Sequence, residues 1–119
     1  LSSSSAASDV YKRQLPSDAE WRQLTDFVGN DSGRKLKAKS GWSDGGNGTD
    51  NFGFTALPGG YRNVNGTFNL IGNDGYWWSA TENSASNAWF RHMSYFFVSN
   101  VIRNYNTEES GFSVRCVRD

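Results

Sequence analysis

The sequence predicts an α+β domain with one clear helix, short strands and long loops. A helix-capping signal followed by apolar residues at helical spacing occurs between residues 17 and 29. Glycine, asparagine and aspartate dominate residues 41–75, a composition that is typical of structured loops. Segments with strand character follow as far as the C-terminus, and no alternation of strands with helices indicates a parallel sheet.

The helix is expected over residues 18–28. Ser17 and Glu20 have the spacing of a capping box, in which the serine hydroxyl accepts from a backbone N–H and the glutamate bonds back to the serine N–H. Apolar residues at intervals of three and four would form its buried face: Trp21, Leu24, Phe27 and Val28. Gly29 is typical of a helix end. A second, short helical turn is expected near residues 34–39.

The later part of the chain contains the predicted strands. Segments that alternate apolar with polar residues, or that are rich in aromatic residues, are 52–57, 76–80, 88–97, 101–104 and 112–118. Aromatic residues make up 15% of the chain, which predicts a core built largely from rings. We therefore expect Trp77, Trp78 and Trp89 in the core.

Charge and composition limit the class of protein. The 119 residues fit one domain, and 12 Lys and Arg residues balance 12 Asp and Glu residues. Nucleic-acid binders need clustered cations, so zero net charge argues against that class. The short basic cluster is interpreted as a solvated face: Arg34, Lys35, Lys37 and Lys39. No apolar run is long enough to span a bilayer, so we expect no membrane insertion.

The sequence gives little basis for catalysis, and we expect no enzyme activity. A catalytic site needs a nucleophile, a base and an orienting group, whereas the chain has one histidine and one cysteine. His92 with Glu82 or Glu108 is all that an enzyme could use. Zinc needs three or four ligands, which these residues do not supply. Cys116 allows no intrachain disulfide and is interpreted as a small core residue.

One loop has oxygen donors that calcium could use. Residues 43–51 read SDGGNGTDN, but the third and fifth positions from Asp44 are glycines and no glutamate stands at the twelfth, unlike an EF-hand. Asparagine and aspartate in such loops usually form turns with the backbone. We therefore expect no cofactor, with calcium at this loop as the alternative.

Residues 90–106 are the most informative segment because they mix aromatic, Arg, His, Ser and Asn residues. Strand alternation would give two apolar faces, with Phe90, His92, Ser94 and Phe96 on one and Arg91, Met93, Tyr95 and Phe97 on the other. Either both faces are buried, or one is an exposed patch that marks a binding site. Paratopes use the same mixture of rigid rings and polar contacts. From these residues alone, core and binding face remain equal alternatives.

Several separated motifs resemble one family. They are residues 15–21 (LPSDAEW), 47–50 (NGTD), 52–54 (FGF), 57–62 (LPGGYR), 76–81 (YWWSAT) and 111–118 (GFSVRCVR). Together they resemble the Fibrobacter succinogenes major paralogous domain of bacterial surface proteins, over about residues 15–119. The opening motif is also similar to the formylglycine-generating-enzyme branch of the C-type lectin-like fold. The catalytic cysteines of that branch are absent, so its activity is not expected here.

The resemblance implies a C-type lectin-like fold with a ligand face at its C-terminal strands and loops. It also implies a likeness to the variable proteins of diversity-generating retroelements, in which a reverse transcriptase randomises chosen asparagine codons. The framework would be Ala88, Trp89, Arg91, Met93, Tyr95, Val101, Arg103 and residues 111–118. The ligand-binding positions would be Phe90, His92, Ser94, Phe96, Phe97, Ser99, Asn100, Ile102, Asn104, Tyr105 and Asn106, which are asparagine or residues reachable from its codon through the two adenines.

The implied function is binding of a protein or glycan on another cell or phage, by a domain at a cell surface or on a phage particle. The rings and the histidine would be anchors: Phe90, His92, Phe96, Phe97 and Tyr105. The alternative from another class is a structural module of a bacterial surface protein or adhesin. In that case residues 90–106 pack inward and no ligand site exists.

The N-terminal residues are expected to lie outside the fold. Residues 1–14 (LSSSSAASDVYKRQ) are dominated by serine and alanine without periodicity, and are interpreted as a disordered or non-native leader before a domain at 15–119. The family usually has a further N-terminal portion at this point. We therefore expect the first strands of the fold to be missing, which would leave the closing strand at 112–118 as an unpaired edge.

Overall fold

Two helices and seven strands make up the part of the chain that the computed structural model describes, residues 13–118. The helices are α1 (Asp18–Val28) and α2 (Ser32–Leu36). The strands are β1 (Arg13–Gln14), β2 (Tyr61–Arg62), β3 (Phe68–Asn69), β4 (Asp74–Glu82), β5 (Asn87–Ser94), β6 (Ile102–Thr107) and β7 (Val117–Arg118). These strands pair only in antiparallel fashion, so the α+β class is confirmed. Neither helix has the length and apolar character needed to cross a membrane.

Helix α1 has the predicted bounds and the predicted cap. Ser17 Oγ accepts a hydrogen bond from the Glu20 N–H at 3.1 Å, and Glu20 Oε1 accepts one from the Ser17 N–H at 2.9 Å. Trp21 is buried, as the spacing predicted. Phe27 lies at the edge of the apolar stripe and is 75% exposed, so its predicted place in the buried face is wrong. Its ring instead packs edge-on against Phe52, with ring centroids 5.6 Å apart.

Helix α2 is short and overlaps the second predicted turn. It follows Asp31, which has a φ of 63°, and it ends at the fully buried Leu36. The next residue, Lys37, has 0% exposed surface, whereas Lys39 is exposed. The interpretation of the basic cluster as a solvated face is therefore wrong for Lys37. The cause is a backbone bridge between Lys37 and Ala56, which draws the chain into the domain after α2.

The three longest strands form one antiparallel sheet in the order β4–β5–β6. Tyr76 and His92 are direct partners across β4 and β5, and His92 and Ile102 are partners across β5 and β6. Residues 95–101 connect β5 to β6 and are called the β5–β6 loop. Because paired residues project from the same face of a sheet, this register decides which predicted site residues lie together.

The strand predictions succeed for this sheet and are weaker outside it. Strands β4, β5 and β6 take up most of the predicted segments 76–80, 88–97 and 101–104. Strand β5 ends earlier than predicted, at Ser94. Segment 52–57 is not a strand, since Thr55 has a φ of 55° and only an isolated bridge forms at Ala56. Its alternation arises because Phe54 and Ala56 both pack on the core from an irregular loop.

The described chain begins and ends in one pair of strands. In β1 and β7, Arg13 lies opposite Arg118. The predicted loss of a partner for the closing segment is therefore wrong, because the backbone just before residue 15 supplies one. The remainder of segment 112–118 makes only an isolated bridge to β4. The predicted leader lies outside the described residues over residues 1–12.

The core lies between the two helices and one face of the central sheet, which we call the inner face. Its buried members are Trp21, Val28, Leu36, Trp42, Ala56, Trp77 and Met93. The core position predicted for Trp77 is confirmed. Trp78 and Trp89 are only partly buried, and each packs against other rings at the surface. Cys116 is exposed, contrary to its core interpretation, because the chain is not a strand at that point.

Asp18, the first residue of α1, joins the helix to the sheet. Its carboxylate accepts hydrogen bonds from Arg91 Nη1 at 2.7 Å and from Arg103 Nε and Nη2 at 3.0 Å each. Its own N–H donates to Thr81 Oγ1 at 2.9 Å. Burial acts to raise the pKa of Asp18, but the hydrogen bonds from Arg103 and Arg91 outweigh it and hold the pKa below 3.8. Asp18 thus connects α1 with β5 and β6 through its carboxylate and with β4 through its backbone N–H.

Replacing this carboxylate should destabilise the domain. In Asp18→Ala the buried Arg91 guanidinium loses its counter-ion, so we expect the free energy of unfolding to fall by about 3 kcal/mol. The matched control is Asp26→Ala, an exposed aspartate on the same helix, which should change it by less than about 0.5 kcal/mol. Urea denaturation at neutral pH measures both.

The effect should also depend on pH. Because the pKa of Asp18 is lower in the folded state than 3.8, its contribution is present above that pH and is lost as the pH falls through the folded-state pKa. The difference in stability between the wild type and Asp18→Ala should therefore shrink below pH 3.8. A difference that stays constant into that acidic range would contradict the assigned ion pairs.

Candidate functional site

The second face of the central sheet, which we call the outer face, points away from the core. It carries side chains from three neighbouring strands: Asp74, Tyr76 and Trp78 from β4, Phe90, His92 and Ser94 from β5, and Ile102, Asn104 and Asn106 from β6. Six of these are predicted ligand-binding positions: Phe90, His92, Ser94, Ile102, Asn104 and Asn106. The alternation predicted for β5 is therefore confirmed as far as Ser94.

The other predicted positions lie elsewhere. Phe96, Phe97, Ser99 and Asn100 are in the β5–β6 loop, at one end of the sheet. Tyr105 projects from the inner side of β6, where its partner in β5 is Trp89. The predicted positions therefore form an outer-face group and a loop group, with Tyr105 on the other face of the sheet.

A cluster of rings covers the middle of the outer face. Phe112, from the C-terminal segment that pairs with β4, is at its centre, with its ring centroid 4.2 Å from Trp78, 5.1 Å from Tyr76 and 4.9 Å from Phe90. Tyr61 packs edge-on against Tyr76 at 5.3 Å. We call these five residues the ring cluster. Edge-on and offset packing of this kind holds rings in fixed positions.

A cleft of about 390 Å³ opens on the ring cluster. Its lining combines rings, aliphatic side chains and uncharged polar side chains: Tyr61, Asn63, Val64, Leu70, Tyr76, Phe90, Asn106, Thr107, Ser110 and Phe112. A ligand that enters it would contact aromatic and amide groups and no charged side chain of this lining. Only Phe90 and Asn106 of this lining are predicted ligand-binding positions. The other residues come together through pairing of segments that are distant in the sequence.

His92 lies beside the ring cluster in a small polar group. Its ring stacks on Tyr76 with centroids 4.4 Å apart, and its Nε2 atom is 3.2 Å from Asp74 Oδ2. The Tyr76 hydroxyl donates to the same Asp74 oxygen at 3.1 Å. Burial, and then the charge and hydrogen bond of Asp74, raise the pKa of Tyr76 well above its usual value. The grouping of His92 with Glu82 or Glu108 does not form, since Glu82 pairs with Ala88 at the far end of the strands.

The β5–β6 loop has a backbone held by the body of the domain and four exposed side chains: Phe96, Phe97, Ser99 and Asn100. The Tyr95 N–H donates to Asn73 O at 2.8 Å, and the Gly33 N–H donates to Ser99 O at 3.1 Å. Phe96 and Phe97 are 71% and 52% exposed. Their rings touch each other edge-on, with centroids 5.1 Å apart. The loop therefore presents two neighbouring rings to solvent.

On the inner side of β6, Tyr105 belongs to a separate surface group. The Arg103 guanidinium lies over the Trp89 ring at 3.6 Å from its centroid, and the Tyr105 ring meets Trp89 edge-on at 5.3 Å. Since Arg103 also binds Asp18, this group continues the connection to α1. Tyr105 is thus exposed, but on the opposite side of the sheet from the cleft.

The loop considered for calcium uses its oxygen atoms in local turns. Asp50 accepts hydrogen bonds from the Thr55 N–H at 2.8 Å and from the Thr55 hydroxyl at 2.7 Å, and Asn47 Oδ1 accepts from the Trp42 N–H at 2.9 Å. Among residues 13–118, no group of three or more His, Cys, Asp and Glu side chains is placed to hold a metal ion. These bonds fit the turn-forming alternative.

A second cavity, of about 300 Å³, lies away from the outer face. It separates α1 from the C-terminal segment and is lined by Pro16, Glu20, Trp21, Leu24, Phe54, Arg115, Cys116 and Val117. None of the predicted ligand-binding positions belongs to it. We therefore take the outer face and the β5–β6 loop as the candidate site.

Comparison with known proteins identifies the family. The model of the Fibrobacter succinogenes major domain matches residues 14–118, nearly the whole chain. No curated protein and no solved structure matches the chain. The matched range takes in every strand that forms the candidate site. The chain therefore belongs to the Fibrobacter succinogenes major domain family.

Proposed function

We propose that this domain is a ligand-binding module of a surface protein, with a C-type lectin-like fold and a binding face built from the outer face and the β5–β6 loop. The exposure of Phe96 and Phe97 on a hydrogen-bonded backbone carries the proposal. Rings that already hold fixed positions lose little conformational freedom when they contact a partner. Neighbouring exposed rings are also what distinguishes an interaction surface from scattered surface residues.

The distribution of buried residues supports a variable binding surface. Arg91 and Met93, assigned to the framework, are buried, and Tyr95 and Val101 pack against the core. Seven proposed binding positions are exposed: Phe96, Phe97, Ser99, Asn100, Asn104, Tyr105 and Asn106. A variable binding surface needs buried residues that stay constant in sequence and exposed residues that vary. We therefore propose that these positions vary through asparagine codons, as in variable proteins of diversity-generating retroelements.

The proposed positions have different roles. Phe96 and Phe97 are the anchors. Phe90 is only 6% exposed and lines the base of the cleft, so it contacts a ligand only where part of that ligand enters. Ser94 is buried and supports the loop. Tyr105 lies on the opposite side and contacts only a partner large enough to reach around β6.

The chemistry of the face indicates the class of partner. Rings beside amide and hydroxyl groups suit an uncharged surface, so we propose a protein or glycan on another cell or on a phage. The host protein would lie at a cell surface or on a phage particle. We propose binding without catalysis, since His92 stacks on Tyr76, Asp74 accepts a hydrogen bond from the Tyr76 hydroxyl, and neither His92 nor Asp74 lines the cleft.

A structural module without a ligand is the second candidate. It is favoured by the burial of Phe90 and Ser94, two of the proposed binding positions. In that case the ring cluster serves only to join the C-terminal segment to the sheet. The two candidates differ in what they require of Phe96 and Phe97.

Sequencing of the 3′ end of this gene across its source population tests the proposed function. We expect substitutions to concentrate at the proposed positions, in the first two bases of each codon, while framework positions such as Arg91 and Tyr95 stay constant. If positions 96 and 97 vary no more than Trp77, diversification is excluded and the structural module is the better account.

Alanine variants separate anchors from core. Phe96→Ala with Phe97→Ala removes exposed rings, so the free energy of unfolding should change by less than about 1 kcal/mol. Phe90→Ala opens a cavity in the ring cluster and should cost about 3 kcal/mol. Thermal and urea denaturation measure both variants. Equal losses in the two variants would mean that the loop rings belong to the core.

A further inference from the structure

We propose that Lys37 fixes the shape of the β5–β6 loop through the loop's main chain, so that the side chains at positions 96, 97 and 100 can be exchanged without changing the backbone that presents them. The inference rests on the proposed function and deepens it. Lys37 lies outside the proposed binding face and would act by positioning the loop. The charge pattern of the sequence did not indicate this role.

The geometry around Lys37 supports this role. Its Nζ atom donates hydrogen bonds to the main-chain carbonyl oxygen of Ser94, where β5 ends, and to that of Val98 at 3.5 Å. These two carbonyls stand on either side of residues 95–97. The same Nζ atom lies 4.7 Å from the centroid of the Trp42 ring. A fully buried ammonium group needs such partners, so the lysine and the loop backbone satisfy each other.

The charges that face Lys37 keep it protonated at neutral pH. Burial is the main cause that lowers the pKa of Lys37 from 10.5 to about 8, and the charge of Arg34 adds to it. Asp74 on β4 and Asp31 beside α2 act in the opposite direction. At neutral pH the hydrogen bonds to Ser94 and Val98 are therefore charge-assisted, the stronger kind.

The other contacts that hold the loop also involve main-chain atoms. The Gly33 N–H donates to Ser99 O, and the Asn100 N–H donates to Phe97 O at 3.2 Å. Gly33 also permits a close approach, since a Cβ atom there would lie 2.5 Å from Asn100 O. Gly46 does the same at Tyr95, where a Cβ atom would lie 2.6 Å from the Tyr95 Cα atom.

The consequence is a loop whose conformation does not depend on its exposed side chains. Contacts to carbonyl oxygens and N–H groups are available whichever residue occupies the position. Two serine side chains are exceptions. The Ser94 hydroxyl accepts a hydrogen bond from the Phe96 N–H at 3.2 Å, and a hydrogen bond between the Ser99 side chain and Asp31 lowers the pKa of that carboxyl. Among the proposed variable positions, we therefore expect Ser94 and Ser99 to tolerate exchange least.

Hydrogen exchange of the ligand-free chain tests the inference. In Lys37→Met, which keeps an unbranched side chain as far as the Cε atom and removes the Nζ donor, the amides of Tyr95 and Asn100 should exchange roughly ten-fold faster or more, relative to the amides that β4 and β5 share. The matched control is Lys39→Met, an exposed lysine two residues away, which should leave them unchanged. Phe96→Ser with Phe97→Ser should also leave them unchanged.

A titration of the wild-type chain covers the case in which Lys37→Met does not fold. The amide NMR signals of residues 95–100 should shift with pH at the same midpoint as the Lys37 side chain, near pH 8. Signals of α1 should not follow that midpoint. If the loop signals did not change at the Lys37 midpoint, the proposed positioning role of Lys37 would be overturned.

The outcomes keep this inference separate from the proposed function. If Lys37→Met exchanges like Lys39→Met, or if the two serine replacements loosen the loop, main-chain positioning by Lys37 is overturned. Neither measurement needs a ligand, so a loop that loosens as expected supports the role of Lys37 even if population sequencing finds no variation at positions 96 and 97.

Discussion

The carboxylate of Asp18 is the contact on which the arrangement of this domain depends. It binds Arg91 and Arg103, one from each of the two strands on either side of the β5–β6 loop, while its N–H bonds to Thr81 on the third strand. A buried guanidinium is stable only beside its acceptor, so the start of α1 and the sheet must stay in register. The helix cap at Ser17 sets where that carboxylate stands. A local sequence signal therefore fixes a long-range contact.

The two faces of the sheet differ in what they contact. The inner face is occupied by the core and by the arginines that bind Asp18, so its residues are constrained by packing and charge. The outer face is covered by the ring cluster, and the β5–β6 loop lies at one end of the sheet. Main-chain contacts hold that loop, and its two phenylalanine rings are exposed. In the function proposed above, stability and binding depend on different side chains of one short segment.

The structural features that could be predicted from the sequence are those that depend on local patterns. The capping box located α1 to the residue, and alternation in β5 placed Phe90, His92 and Ser94 on one face. Tyr61 and Phe112 were missed at the site because only long-range pairing brings them together. The burial of Lys37 was missed because a charged residue between other basic residues has no local signal of a buried acceptor. Which sheet face Tyr105 occupies could not be predicted, because the register of β6 is set by its partner strand.

The central claim is that the exposed side chains of the β5–β6 loop are not among those that stabilise the domain. Two libraries displayed on a cell surface and challenged with protease test it. One randomises Phe96, Phe97 and Asn100, and the other randomises Arg91, Tyr95 and Val101. Most members of the first library should resist cleavage as the wild type does, while nearly all members of the second should be cleaved. Equal losses in the two libraries would contradict the claim, because the exposed loop side chains would then be part of what holds the domain together.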